Sequence, residues 1–287
     1  MSFKQNRKWS FLAVSAVYVL ATAVGVGVYL LLNSLPWWLS LLIADVAATV
    51  VTFVFSVVWK NASVYDPYWS VQPAVILIAY AIANGLNASR ALCLIAVCLW
   101  AVRLTANWAY TFGDLTHQDW RYTMLAEKTG KFYPVINFVG IHLVPTLVVY
   151  GCTLPAAYLF QVELGVNLGS ILFFLVSVGA ACLQCVADVQ MHRFRKRKTG
   201  GFIRDGVWKY SRHPNYLGEI LMWWGIGFAT FSVATNVWYL LAGALANTLL
   251  FTFVSLPMAE KRQAKKEGFA EYKKQTRMLL PIPKKSR

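Results

Sequence analysis

Long apolar runs set the terms for this chain: they fall at 10–32, 38–59, 90–110, 134–160, 167–190, 214–232 and 236–256, with a shorter one ending near Asn84. A helix needs about 20 mostly apolar residues to cross the hydrocarbon core of a bilayer, where every backbone polar group must be satisfied inside the segment. The runs therefore predict an all-α fold, a polytopic membrane bundle of about seven to eight transmembrane helices. Charged residues make up 14 % of the chain, against roughly 25 % in soluble domains. That leaves no soluble domain of useful size, so residues 1–287 read as a single integral membrane domain. The 10–32 run is too long for a typical signal-peptide core and reads as a retained first span.

The formal net charge is +15, a balance that in a soluble protein would suggest nucleic acid. Here the cations cluster beside apolar runs, so membrane lipid headgroups or a phosphorylated ligand account for them better. With eight spans and a cytoplasmic N-terminus, only Arg90 and Arg103 fall away from the cytoplasmic side. Both termini are accordingly expected in the cytoplasm. The five cysteines, Cys93, Cys98, Cys152, Cys182 and Cys185, all sit in apolar runs, and their odd number argues against a disulfide framework. The pair Cys182 and Cys185 reads as core packing, and no residue set has the spacing of a metal site.

Residues 207–224 are where polar chemistry runs straight into an apolar helix. Pro214 suits the first turn of that helix, leaving His213 to close an irregular loop. Asn215, Glu219 and Met222 then share one face. A carboxylate one turn inside a membrane helix marks either a functional site or an ion pair with a nearby Arg acting as structural glue.

Other polar groups are scattered along the runs. Asp45, Thr49, Thr52 and Ser56 repeat at helical spacing and suit helix-to-helix hydrogen bonds. Tyr65, Asp66, Tyr68 and Trp69 form either an aromatic belt or a substrate-facing mouth. His142 is an isolated histidine at membrane depth, read as packing, with kinks expected at Pro145 and Pro155. The 112–133 stretch reads as an interfacial helix. Its His117 and Asp119 are weak evidence for a metal. Asp188, His192 and Arg195 form one stripe at the end of the sixth run, followed by Arg193 to Lys198 and Arg204.

Most groups capable of chemistry thus gather on the face that cytosolic cofactors reach. An anionic dinucleotide with a ribose phosphate needs several cations, which the 193–198 cluster with Arg204, Arg212 and Arg262 can supply. No glycine fingerprint follows a strand, which excludes a soluble-type dinucleotide fold. Gly225 and Gly227 read as close helix packing.

The segment 206–219, Gly-Val-Trp-Lys-Tyr-Ser-Arg-His-Pro-Asn-Tyr-Leu-Gly-Glu, resembles the signature of the membrane reductases that include steroid 5-alpha-reductases and sterol C14 reductases. More closely, the chain is similar to the DUF1295 branch of that superfamily. The elements that carry this likeness are 65–73 (Tyr-Asp-Pro-Tyr-Trp-Ser-Val-Gln-Pro), 119–122 (Asp-Trp-Arg-Tyr), 257–262 with Glu260 and Arg262, and Tyr272 with Thr276. The resemblance spans roughly 40–285. It implies NADPH-dependent reduction of an activated carbon–carbon double bond in a lipid or steroid-like substrate. The 134–287 half would hold the cofactor and the 10–110 spans would form the substrate side.

By position the likeness assigns Asp188, Arg195, Asn215 and Glu219 to the dinucleotide, with Arg204, Arg212, His213, Tyr216 and Arg262 nearby. The family's carbonyl-polarising Glu falls near Asp66, and its Tyr falls around Trp100 to Arg103, where no Tyr stands. A shifted set of Asp66 with Tyr65 or Tyr68 is the catalytic expectation. Isoprenylcysteine and phospholipid methyltransferases resemble the Arg-His-Pro core too, so S-adenosylmethionine-dependent methyl transfer is the alternative, with a non-catalytic lipid-binding protein as the third. The membrane is expected to be a bacterial inner membrane or the endoplasmic reticulum. The ending Lys284, Lys285, Ser286, Arg287 resembles a dilysine retrieval signal.

Overall fold

The computed structural model describes residues 3–198 and 200–282, so the dilysine-like ending lies outside the described residues. Every regular element among them is helical. The helices are α1 (Arg7–Leu31), α2 (Trp37–Trp59), α3 (Tyr68–Asn84), α4 (Ala88–Thr111), α5 (Trp120–Thr129), α6 (Tyr133–Ile136), α7 (Val144–Leu159), α8 (Leu168–Lys196), α9 (Pro214–Val233), α10 (Ala242–Leu250), α11 (Leu256–Gln263) and α12 (Phe269–Gln275). Among the described residues six helical stretches are long and apolar enough to cross a membrane: Arg7–Leu31, Trp37–Trp59, Ala88–Thr111, Trp120–Leu159, Leu168–Lys196 and Thr235–Gln263.

Two expected spans fall outside that set. At 17 residues, α3 reaches only about 25 Å at 1.5 Å per residue. Helix α9 carries Asn215 and Glu219 in its first turns and is buried along much of its length. A helix shielded by neighbours has no need of the apolar surface that lipid demands.

Helix starts follow from local chemistry. The Asn6 side chain accepts from the backbone N–H groups of Lys8 and Trp9 to begin α1. Asn167 and Ser170 form a reciprocal capping box at the head of α8, and Pro214 opens α9 where its missing N–H is harmless. Two π-helical turns, Asn137–Leu143 and Phe251–Ser255, lie just ahead of Pro145 and Pro257. A wider turn there adjusts the ladder that proline cannot join. Pro155, by contrast, sits inside α7 and the helix continues through it.

The chain divides into two compact units, and the division cuts through α4 and α7. Unit 1 comprises Met1–Ala83 with Leu104–Leu154, and unit 2 comprises Asn84–Arg103 with Pro155–Arg287. Residues 84–103, grouped above with the N-terminal spans, thus belong with the C-terminal helices, while 134–154 belong with the N-terminal ones.

In unit 1, α1 packs along α2, and the 62–65 turn is tied to the 112–119 loop. Asn61 Nδ2 donates to the carbonyls of Leu115 and His117, and the Asp119 N–H donates to Ser63. The side chain of Asp119 caps α5, and His117 pairs with Asp114 instead.

In unit 2, α8 and α9 approach closely because α9 presents glycines. A Cβ on Gly218 would stand 2.8 Å from the Ala180 carbonyl oxygen, and one on Gly225 would stand 2.9 Å from that of Phe173. On α8 the buried face is Ser177, Ala180, Ala181, Gln184 and Ala187. Cys182 and Cys185 lie off that face and are exposed, which corrects their assignment to the core: at membrane depth an apolar residue satisfies lipid as readily as a neighbour. Arg90, one of the two cations expected away from the basic side, is buried and consumed by protein acceptors. It donates to the carbonyls of Leu159, Asn84 and Val162 and to Glu163.

Candidate functional site

In unit 2, three helices send polar groups to one buried point. Glu219 of α9 is 4 % exposed. Its Oε2 accepts from Trp100 Nε1 at 2.7 Å and Gln184 Nε2 at 3.1 Å, and its Oε1 accepts from Trp223 Nε1 at 2.9 Å. The Arg103 guanidinium lies 3.8 Å from the same carboxylate and donates to Asp188 Oδ2 at 2.8 Å and to Gln184 Oε1. One cation from α4 thereby serves two acids, one on α8 and one on α9. Both acids are held by protein donors, which is how a charge survives burial.

A second cluster joins the start of α9 to the C-terminal tail. Arg212 grips Glu260 through two bonds of 3.0 and 2.8 Å, His213 Nε2 lies 2.8 Å from the same acid, and Arg212 also donates to the Thr276 carbonyl. The Arg212 N–H donates to the Arg277 carbonyl, Tyr272 donates to the Trp208 carbonyl, and Thr276 donates to that of Lys209. Tyr216 stacks on His213 at 5.4 Å, with planes 16° apart. An apolar cavity of about 130 Å³ lies alongside, lined by Leu183, Val207, Tyr210, Ser211, Pro214, Leu217 and Pro281.

The remaining expected ligands are arranged differently. Asn215 has a buried Oδ1 without a hydrogen-bond partner among the described residues. Arg195, Arg204 and Arg262 are exposed. Arg204 lies over the Phe202 ring. Arg195 and Arg262 stand close enough to Lys266 that, after partial loss of hydration, their repulsion pushes its ammonium below the usual lysine value.

The nine expected cofactor residues thus fall into groups. Asp188 and Glu219 meet through Arg103; Arg212 and His213 meet on Glu260, with Tyr216 stacked on His213; Arg195 and Arg262 meet at Lys266. Sequence reasoning did not assign Trp100, Arg103, Gln184, Trp223 or Lys266 a place. Helical spacing offered a signal for some of them, since Gln184 and Asp188, and Glu219 and Trp223, are four residues apart.

In unit 1, Tyr65 and Tyr68 are buried with ring centres 5.4 Å apart. Neither hydrogen-bonds Asp66. Tyr68 donates to Asp45 Oδ1 at 2.8 Å, with Gln72 Nε2 on Oδ2 at 2.7 Å, while Tyr65 pairs with Thr146 at 2.8 Å. Asp66 closes the 62–65 turn and accepts from Tyr122 of α5 at 2.6 Å. Burial lifts its carboxyl to about 6, against the pull of Arg121 and the Tyr122 hydrogen bond. The acid beside Tyr68 is therefore Asp45, from the polar stripe of α2. That stripe also bonds between helices at Thr49, which meets Thr146 at 3.0 Å.

Helices of membrane-crossing length, with ionic clusters buried in unit 2, define an integral membrane protein. The chain belongs to the DUF1295 family, whose description is "protein of unknown function" and whose model matches residues 52–276. It is 26 % identical over 220 residues to an uncharacterized protein of Schizosaccharomyces pombe, covering 67 % of this chain and 63 % of that protein. The chain thus spans under two thirds of that relative's length. No solved structure matches it significantly.

Proposed function

We propose that this chain is a membrane-embedded, NADPH-dependent reductase of an activated carbon–carbon double bond in a lipid or steroid-like substrate. The observation that carries the reading is the gathering in unit 2 of Arg195, from the end of α8, with Arg262 and Lys266, from the end of α11 and just beyond it, both arginines close enough to repel the Lys266 ammonium, which donates to the Gly201 carbonyl. Such a gathering suits a phosphate-bearing ligand. The buried Oδ1 of Asn215, without a partner among the described residues, offers a further polar contact of the kind an amide N–H would satisfy.

The residues fit a dinucleotide with a redistribution of roles. Arg195, Arg262 and Lys266 would neutralise phosphate, Asn215 would accept from the carboxamide, and Arg204 would add charge. Glu219, Asp188, Arg212 and His213 are already engaged by protein groups, so they would hold the walls of the site, with Tyr216 braced on His213. The bound cofactor would supply the hydride. In unit 1 a buried phenol with an acid neighbour suits polarisation of a substrate carbonyl. Tyr68 with Asp45 now stands beside the original set of Tyr65, Asp66 and Tyr68 for that task. The reading includes eight spans, counting α3 and α9, with both termini cytoplasmic in a bacterial inner membrane or the endoplasmic reticulum.

Purified protein in detergent tests this directly. NADPH at a hundredfold excess over its dissociation constant stabilises the fold by about 2.7 kcal/mol, seen as a raised melting temperature, while S-adenosylmethionine has no effect. The reverse result establishes methyl transfer as the better reading. A melting curve indifferent to both leaves a non-catalytic lipid-binding protein.

A further inference from the structure

The π-helical turn Asn137–Leu143 of unit 1 holds two buried acceptors that no described residue satisfies. His142 is 0 % exposed and Asn137 is 4 % exposed. Nδ1 of His142 lies 2.9 Å from the Asn137 carbonyl oxygen. A carbonyl only accepts, so Nδ1 carries the proton and the neutral ring presents an acceptor at Nε2. That atom has no partner among the described residues.

The amide of Asn137 is oriented as firmly. Ser56 spends its hydroxyl proton on the Phe53 carbonyl, so it can only accept from Asn137 Nδ2, 3.2 Å away. Asn137 Oδ1 is then turned away from Ser56 and also has no partner among the described residues. Aromatic rings flank the histidine, Tyr65 at 4.6 Å and Phe53 at 5.5 Å, with Phe138 next to Phe53. A buried polar atom without a partner is rare, and two on one π turn, the helical irregularity most often found at functional sites, mark a place built for a donor from outside the chain.

We propose that this turn is a binding site for a membrane-soluble alcohol, whose hydroxyl donates to His142 Nε2 while its hydrocarbon body lies against Phe53 and Tyr65. Asn137 Oδ1 receives a second hydroxyl where the ligand has one. An O–H donor can also be a water molecule, and only the alcohol brings the apolar body that aromatic walls reward. The inference concerns unit 1 alone and stands whether or not unit 2 takes NADPH.

The test uses the full chain in lipid nanodiscs with three alcohols, 1-dodecanol, farnesol and cholesterol, each set against its methyl ether, which keeps the body and lacks the donor. At least one alcohol should raise the melting temperature by about 3 °C while its ether does not. His142→Phe keeps an aromatic ring and removes Nε2, and should abolish the shift. Should that variant fail to fold, the ¹⁵N resonance of His142 Nε2 in wild-type protein gives the same answer, moving with the alcohol and not with the ether. Equal shifts from alcohol and ether, a shift that survives in His142→Phe, or no response to any probe would each overturn the proposal, the last leaving water as the donor.

Discussion

Arg103 Nη1 donates to Asp188 Oδ2 at 2.8 Å, and this bond ties the first part of α4 to α8 within unit 2. Because the same guanidinium also faces Glu219, it balances two carboxylates with one charge. Removing one partner of a buried ion pair is far more damaging than never having built it. Arg103→Met should therefore destabilise the protein by roughly 3 kcal/mol, with Asp188→Asn milder because it leaves a neutral group. Thermal unfolding of the two variants in detergent gives the comparison, and equal melting temperatures for wild type and Arg103→Met would refute it.

Glu219→Gln and Asn215→Leu separate holding a site from binding in it. The Glu219 carboxylate accepts three N–H groups, and an amide offers one oxygen in place of two and turns its NH₂ towards a donor. The loss should be about 1–3 kcal/mol, read as a lower melting temperature. Asn215→Leu removes an acceptor that has no partner among the described residues, so the ligand-free protein should melt no lower than wild type. If NADPH binds as proposed, its stabilising shift should disappear in Asn215→Leu.

The Glu260 clamp on Arg212 and His213 holds the tail against the 206–213 segment. Glu260→Ala leaves Arg212 buried without its carboxylate and should free the segment beyond α11. Limited trypsin digestion checks this: the Lys265, Lys266, Lys273 and Lys274 sites should be cut at least several-fold faster than in wild type. An unchanged digestion pattern would show that the backbone bonds at Arg277 and the Tyr272 hydroxyl suffice.

Asp66 predicts a pH dependence. Its carboxyl is lifted by burial from 3.8 to about 6, so the folded state holds the proton more tightly than the unfolded chain. The stability this contributes is present below about pH 4 and is lost as pH rises through about 6. Asp66→Asn, which stays neutral, should flatten that part of the stability curve. Melting temperatures of both proteins between pH 4 and 7 test the sign, and a wild-type contribution that grows with pH in this window would contradict it.

Gly225→Ala tests the seam between α8 and α9. The added methyl would meet the Phe173 carbonyl oxygen at 2.9 Å and crowd the Ser177 hydroxyl. Backbone on an adjacent helix cannot step aside as a flexible side chain can, and overpacking of this kind costs about 1–3 kcal/mol. Gly179, which has open space around its Cβ position, is the control site and should tolerate alanine.

Length and hydropathy of the apolar runs, with proline and capping residues at their ends, determined by themselves that this chain is helical, crosses a membrane, and begins α9 at Pro214. These are local properties, settled by a segment's own backbone and solvent. The polar residues that matter were also legible singly: Asp45, Glu219 and Asp188 stand out because charge in an apolar run is costly, and Arg212 because it sits at the edge of one.

Their partners were decided only by tertiary structure. Nothing in the spacing of residues 65–68 says that Tyr68 turns to Asp45 on another helix while Asp66 turns to Tyr122. Nor does it say that Arg103, placed among the N-terminal spans by its number, closes a cluster with α8 and α9. The physical reason is that hydrogen bonds and ion pairs act over about 3 Å between side chains brought together by helix packing. Packing in turn depends on close approaches, such as the glycine seam at Gly218 and Gly225, whose partners Ala180 and Phe173 lie far back in the chain on α8.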